Sequence, residues 1–182
     1  IRANSVFANG NLVTELGLDI GGDGITANDV GDADAGANQL QNFPVLTSAV
    51  NGVTGTTVTG TFSGATNREL VLDFYSSVAA NLSGNGEGQT YLGSTNLTSD
   101  GAGQINFSAV LAVTNLAGRY LTATATDTNG NTSEFSPAIM ASSSLPGQTF
   151  IVVNTNDSGA GSLRQAITDA NAAITGGDVI AF

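Results

Sequence analysis

Apolar and polar side chains alternate through the middle of the chain. In TTVTGTFSG, Val58 and Phe62 stand among threonines, and ELVLDFYSS sets Leu70, Leu72 and Phe74 on one face. QTYLGSTNL, GQINFSAVL, RYLTATATD and SEFSPAIM follow, separated by turn signals such as Ser99-Asp100-Gly101 and Asn129-Gly130. A period of two sends successive side chains to opposite faces, so each segment predicts a short, half-buried strand. About seven such strands over residues 45–141 predict a β-sandwich. The chain has no Cys…Trp…Cys spacing, which does not support an antibody-type domain.

The flanks have a different texture. Residues 1–44 open with IRANSVFANGNL, a short strand by its Ile1, Val6 and Phe7, with a turn signal at Asn9-Gly10. The following LGLDIGGDGITANDVGDADAG is too rich in Gly, Asp and Asn for helix or regular strand. It predicts a long ordered loop, or a disordered one without an ion. Residues 142–149, including SSSLPGQ, have the composition of a linker. Residues 150–182 then predict a strand at Phe150–Val153 and a short amphipathic helix. The helix has Ser162 as N-cap and Leu163, Ala166, Ile167 and Ala170 as its buried stripe, and it stops near Gly176-Gly177. A last strand, Asp178–Phe182, has nothing after it to pair with.

Composition narrows the chemistry. The 182 residues are 41% hydrophobic, enough to build a core. The net charge is -11, and the four basic residues, Arg2, Arg68, Arg119 and Arg164, are scattered. Nucleic-acid binding is therefore not expected, and an anionic membrane would repel the chain. No run of about 18 apolar residues predicts membrane insertion, and no basic region with an apolar stretch behind it stands at the start. With no Cys, His or Lys, this chain carries no thiol nucleophile, imidazole base, thiolate zinc site, Schiff-base lysine or Lys-Asn crosslink. Richness in Thr, Asn, Gly and Ser with few charges points to an extracellular or cell-surface setting. The sequons at Asn81, Asn96, Asn106, Asn131 and Asn156 agree with that setting.

Carboxylates are the chemistry that remains. Six of them, from Glu15 to Asp34, crowd a segment with no basic residue before Gln41. Like charges so close repel unless a cation sits among them, and oxygen-only ligands suit calcium. An EF-hand is rejected: Asp19, Asp23 and Gly24 fit its first, fifth and sixth positions, but Gly21 and Val30 fall where ligands belong. The candidate calcium ligands are Asp19, Asp23, Asp29, Asp32 and Asp34, completed by backbone carbonyls. The alternative is a solvated acidic loop whose side chains cap turns. A second set, Asp73, Glu87, Asp127 and Glu134, lies at strand ends and loops, either converging on another calcium site or serving as isolated turn and edge charges. Paired carboxylates could also hydrolyse glycosides, but only 6% of residues are aromatic and none is Trp, leaving little for a sugar to stack on. Phosphate binding at GDADAG or GGDGIT is opposed by the surrounding carboxylates.

NTNDSGAGSLRQAITDANA followed by GGDVIAF resembles the amino-terminal, CSLREA-type cap of right-handed parallel β-helix domains in large bacterial surface and secreted proteins. Gly161-Ser162-Leu163-Arg164-Gln165-Ala166 stands where that cap carries its Cys and Glu. IRANSVFANGNLVTELGLDIGGDGITANDVGDADAGANQLQNFPVL resembles a final rung and exit loop of such a solenoid. GEGQTYLGS (86–94) and LTATATDTNGNTSEFS (121–136) are similar to the immunoglobulin-like domains that follow them. The resemblance implies a mainly β chain, an immunoglobulin-like antiparallel β-sandwich flanked by terminal elements of a right-handed parallel β-helix, with one short capping α-helix.

A rung buries its apolar face only by stacking on neighbours. Two partner arrangements are expected: adjacent domains of one longer chain, or a head-to-tail homopolymer in which Asp178–Phe182 of one copy meets Ile1–Phe7 of the next. The expected function is a non-catalytic structural module of a bacterial surface fibre or adhesin, rigidified by calcium. The alternatives are a calcium-dependent adhesin or carbohydrate-binding module that takes a glycan, and an accessory part of a polysaccharide-degrading enzyme.

Overall fold

The computed structural model describes residues 1–10, 12–144, 147–173 and 177–182. The Leu145-Pro146 part of the linker and Gly176 of the helix stop lie outside them. The chain is mainly β, with antiparallel sheets and one short helix. Eight strands form its body: β1 (Val45–Asn51), β2 (Thr56–Ser63), β3 (Glu69–Ser77), β4 (Thr90–Thr98), β5 (Gln104–Leu111), β6 (Tyr120–Asp127), β7 (Ile139–Met140) and β8 (Ser142–Ser143). They make two four-stranded sheets, ordered β5-β2-β1-β8 and β4-β3-β6-β7. All pairings are antiparallel except that of β8 with β1. Ser142 and Ser143, which resemble linker by composition, therefore belong to a sheet edge.

The alternation expected from sequence generates the core. Val58 and Phe62 from β2, Ile105, Phe107, Ala109 and Leu111 from β5, Leu72 and Phe74 from β3, and Leu121, Ala123 and Ala125 from β6 meet in one cluster between the sheets. β5 alternates strictly between exposed and buried positions. β3 and β6 do not: from Leu72 to Ser77 and from Leu121 to Thr126 every residue is buried, so both of their faces are covered.

What covers the outer face is the N-terminal segment. It is not a regular strand over Ile1–Phe7; its one ladder contact is an isolated bridge between Val6 and Gly88. Instead it is fastened to the sheet by carboxylates. Asp73, fully buried, accepts two hydrogen bonds from Arg2, at 2.8 and 2.9 Å. Glu87 accepts from the backbone of Ala8 (2.7 Å) and Asn9 (3.1 Å). Glu134, 1% exposed, accepts from the backbone of Ile20 and Thr26 and from the Thr26 hydroxyl at 2.9–3.1 Å. Under this layer Tyr75 packs edge-on to Phe135, with ring centroids 5.3 Å apart. Gly88 allows the contact, since a Cβ there would lie 2.6 Å from the Phe135 ring and 2.9 Å from that of Tyr75.

SEFSPAIM yields a regular strand only at Ile139–Met140. Upstream, two serines imitate strand pairing along β6. Ser133 and Ser136 each donate a backbone N–H to it, at Ala125 and Ala123, while their hydroxyls accept from the Ala125 and Ala123 N–H groups at 2.9 and 3.0 Å. Hydroxyls thus stand where ladder carbonyls would be, and the buried donors of β6 stay satisfied.

The C-terminal unit consists of β9 (Thr149–Ile151), α1 (Leu163–Ala172) and β10 (Val179–Ala181). β10 pairs in parallel with β9, so the last strand finds a partner earlier in the chain. The Ser162 hydroxyl accepts from Gln165 N–H at 3.2 Å and caps the helix as expected. Of the expected stripe only Ala166 is fully buried; Leu163 and Ile167 stay exposed because the two-strand sheet is too narrow to cover the helix face. Among the described residues, this unit packs against no strand of the body.

Candidate metal centre

The acidic loop forms because its backbone donors and acceptors are satisfied by amides of the segment leading into β1. Asn42, 2% exposed, accepts from Asp29 N–H at 3.0 Å and donates to the carbonyls of Asp29 (2.8 Å) and Ser63 (2.9 Å). Asn28 and Phe43 exchange two hydrogen bonds, at 2.8 and 2.9 Å. Between these fixed points the chain makes a tight turn, Ala37–Leu40, in which Asn38, Gln39 and Leu40 all have φ near +50°. Left-handed backbone costs roughly 1–2 kcal/mol per residue, and the turn is held by Thr132 N–H donating to Asn38 Oδ1 at 3.1 Å.

This closure brings together Asp29, Asp32 and Asp34. One carboxylate oxygen from each lies within 4.8 Å of the others. Asp32 accepts from the Gln41 side chain (2.7 Å) and Asn42 N–H (2.8 Å), and Asp29 Oδ2 accepts from Ala33 N–H at 3.0 Å. Asp29 Oδ1 and Asp34 Oδ1 are shielded from solvent and have no hydrogen-bond partner. Burial pushes the Asp32 carboxyl up from its ordinary pKa, and the charges of Asp29 and Asp34 add to the shift against the opposing hydrogen bonds from Asn42 and Gln41. Three carboxylates this close repel one another when ionised. A hard divalent cation among them would relieve that repulsion.

The five candidate ligands thus divide. Asp19 lies outside the trio, and its carboxylate caps a local turn, accepting from the backbone of Gly22, Asp23 and Gly24. Asp23 is exposed and also outside it. The set Asp73, Glu87, Asp127 and Glu134 does not converge: three of its members anchor the N-terminal layer, and Asp127 holds the turn after β6. There Asp127 accepts from the backbone and side chains of Asn129 and Asn131 at 2.8–3.3 Å. Burial alone would raise its pKa, but those four hydrogen bonds outweigh burial and hold it below the usual carboxylate range. Among the described residues, Asp29, Asp32 and Asp34 form the one acidic group close enough to hold a metal ion.

The role of Gln41 and Asn42 was not anticipated; the local signal was two consecutive amides, LQNFP, just before an apolar strand. A cleft of about 420 Å³ is lined by Asp32 and Asp34 of the trio and by Asp127, Asn129 and Asn131 of the turn after β6. No helix among the described residues is long and apolar enough to cross a membrane. In comparisons with known proteins, the chain matches no family model and no curated protein.

Proposed function

We propose that the chain is a non-catalytic structural module of an extracellular bacterial surface fibre or adhesin. In this reading the body is an immunoglobulin-like sandwich, the flanks are terminal elements of a right-handed parallel β-helix, and copies join end to end. Calcium at Asp29, Asp32 and Asp34 locks the acidic loop against the body.

The observation that carries the reading is the exposed apolar surface of both terminal regions. In the C-terminal unit Ile151, Val153, Val179 and Phe182 are 53–89% exposed, and no strand of the body covers them. In the N-terminal layer Ile1, Phe7, Leu12 and Val13 are 50–60% exposed. Apolar side chains left wet at both ends of a module are covered when the ends meet. A contact between two different surfaces does not close on itself and therefore propagates.

Sedimentation velocity and electron microscopy over a concentration series, in calcium, test the assembly. The chain is expected to form growing linear species, and Ile151→Glu/Val179→Glu to remain a single copy with the circular dichroism of its body intact. A chain that stays a single copy at about 1 mM, where even weak contacts populate, would refute it. Calcium is tested separately by calorimetry on chelator-treated protein, where Asp32→Asn should abolish the binding heat.

A further inference from the structure

The cleft between the acidic loop and the Asn129–Asn131 turn contains a charge the fold leaves unused. Arg68 lines it, is exposed, and forms neither of the two ion pairs among the described residues, which belong to Arg2 and Arg164. An unpaired guanidinium in a chain of net charge -11, in the same cleft as Asp32 and Asp34, is a free, forked donor suited to a carboxylate. The rest of the polar lining is Asp127, whose carboxylate is engaged by Asn129 and Asn131, and the carboxamides of Gln39, Gln41, Asn129 and Asn131. A carboxamide both donates and accepts, as a sugar hydroxyl does.

Calcium takes six to eight oxygens and the trio supplies one carboxylate from each of three residues, so a bound ion has positions left for other ligands. Asp32 and Asp34 also line the cleft, so an ion held by them would lie at its wall. A carboxylate in the cleft would have two cations to meet, the metal and Arg68. Phe62, the one aromatic lining residue, is 2% exposed and offers no stacking platform, so recognition is polar. The volume of about 420 Å³ suits one or two sugar rings.

We infer that this cleft binds a uronate-bearing saccharide, its carboxylate held between a calcium ion at Asp29, Asp32 and Asp34 and the Arg68 guanidinium, its hydroxyls on Gln39, Asn129 and Asn131. The inference rests on the calcium reading proposed above. It gives the module a ligand in addition to its own copies.

The test is calorimetry on the full chain, with calcium titrated first and then digalacturonate, digalactose and tetraglutamate added to the loaded protein. Digalacturonate is expected to bind, digalactose not, and chelator or Arg68→Met to weaken binding about tenfold or more. The Arg68 side chain is exposed and, among the described residues, the hydrogen bonds of Arg68 are made by its backbone, so Arg68→Met keeps the fold. A calcium-loaded protein that ignores digalacturonate overturns the saccharide site and leaves the calcium reading standing. Unchanged binding in Arg68→Met, or tetraglutamate binding as tightly, also overturns it. A chain that takes up no calcium in the first step ends both.

Discussion

Replacing Glu134 tests whether the N-terminal layer is held to the sheet by its carboxylates. This side chain is 1% exposed, has no cationic partner, and accepts from two backbone N–H groups and one hydroxyl, all contributed by Ile20 and Thr26. Each hydrogen bond to a charged group contributes roughly 1.5–3 kcal/mol, and a donor left buried without a partner costs about 1–3 kcal/mol. In Glu134→Ala all three bonds go, but the layer can lift and solvate its donors, which limits the loss to the free energy of docking that stretch. The expected cost is about 3 kcal/mol. Glu134→Gln keeps the shape and one acceptor oxygen, but its amide faces a donor, and should cost about half as much. Urea denaturation followed by circular dichroism gives the global figure, and amide exchange by NMR gives the local one. At about 1.4 kcal/mol per decade, the Ile20 and Thr26 amides should exchange roughly a hundredfold faster in Glu134→Ala, and should stay less protected than those of β2 and β5, because the layer opens without the core. A global loss near 3 kcal/mol with the Ile20 and Thr26 amides as well protected as those of β2 and β5 would refute the reasoning, because Glu134 would then support the core and not the layer. A loss below about 0.5 kcal/mol would refute it outright.

Arg2→Met strands the buried Asp73 charge and should cost about 2–3 kcal/mol in the same denaturation assay, the low end for a broken buried pair because Arg2 is itself 43% exposed. Adding Asp73→Leu removes the stranded charge and should restore most of that loss. Melting temperature between about pH 3 and 7 without calcium separates two carboxylates of opposite sign. Asp32 has a raised folded pKa, so its contribution is present at low pH and lost as pH rises through that value; Asp32→Asn should melt higher than the parent at pH 7, with the gap closing on acidification. Asp127 has a lowered folded pKa, so its contribution is present at neutral pH and lost on acidification; Asp127→Asn should melt lower at pH 7 and converge in acid. With calcium bound the sign for Asp32→Asn reverses, because a ligand is then removed. Ser162→Ala removes the helix cap and should cost about 1 kcal/mol, read as a roughly fivefold faster exchange of the Gln165 amide.

Local chemistry was legible in the sequence wherever neighbours along the chain decide the outcome. The alternation in β2, β3 and β5, the turn at Asn129-Gly130 and the Ser162 cap all depend on residues a few positions apart. So did the crowding of Asp29, Asp32 and Asp34, which are close in sequence before they are close in space. The pairing of β9 with β10 was missed because a parallel pair joins segments about thirty residues apart, with no turn between them to announce it. Glu134 and Asp73 were misjudged for a related reason: as isolated carboxylates on strands they look like edge charges, and only a segment more than 70 residues distant converts them into buried acceptors. SEFSPAIM reads as one regular strand through Ser133 and Ser136, since nothing local distinguishes a serine that faces water from one that replaces a ladder carbonyl.

Tension gives the carboxylate-fastened layer another significance. A pull at Ile1 reaches the Arg2–Asp73 pair, then the Val6–Gly88 bridge, Glu87 and Glu134 in turn, so the attachments fail one after another as in a zipper. About 40 residues precede β1, and fully extended they release roughly 140 Å of slack before the two sheets feel the load. Beyond that point the force arrives at β1 and β8, which lie parallel and are drawn from opposite ends, so their hydrogen bonds are loaded together in shear. A chain arranged in this way yields early, lengthens at low force, and stiffens only when its slack is gone.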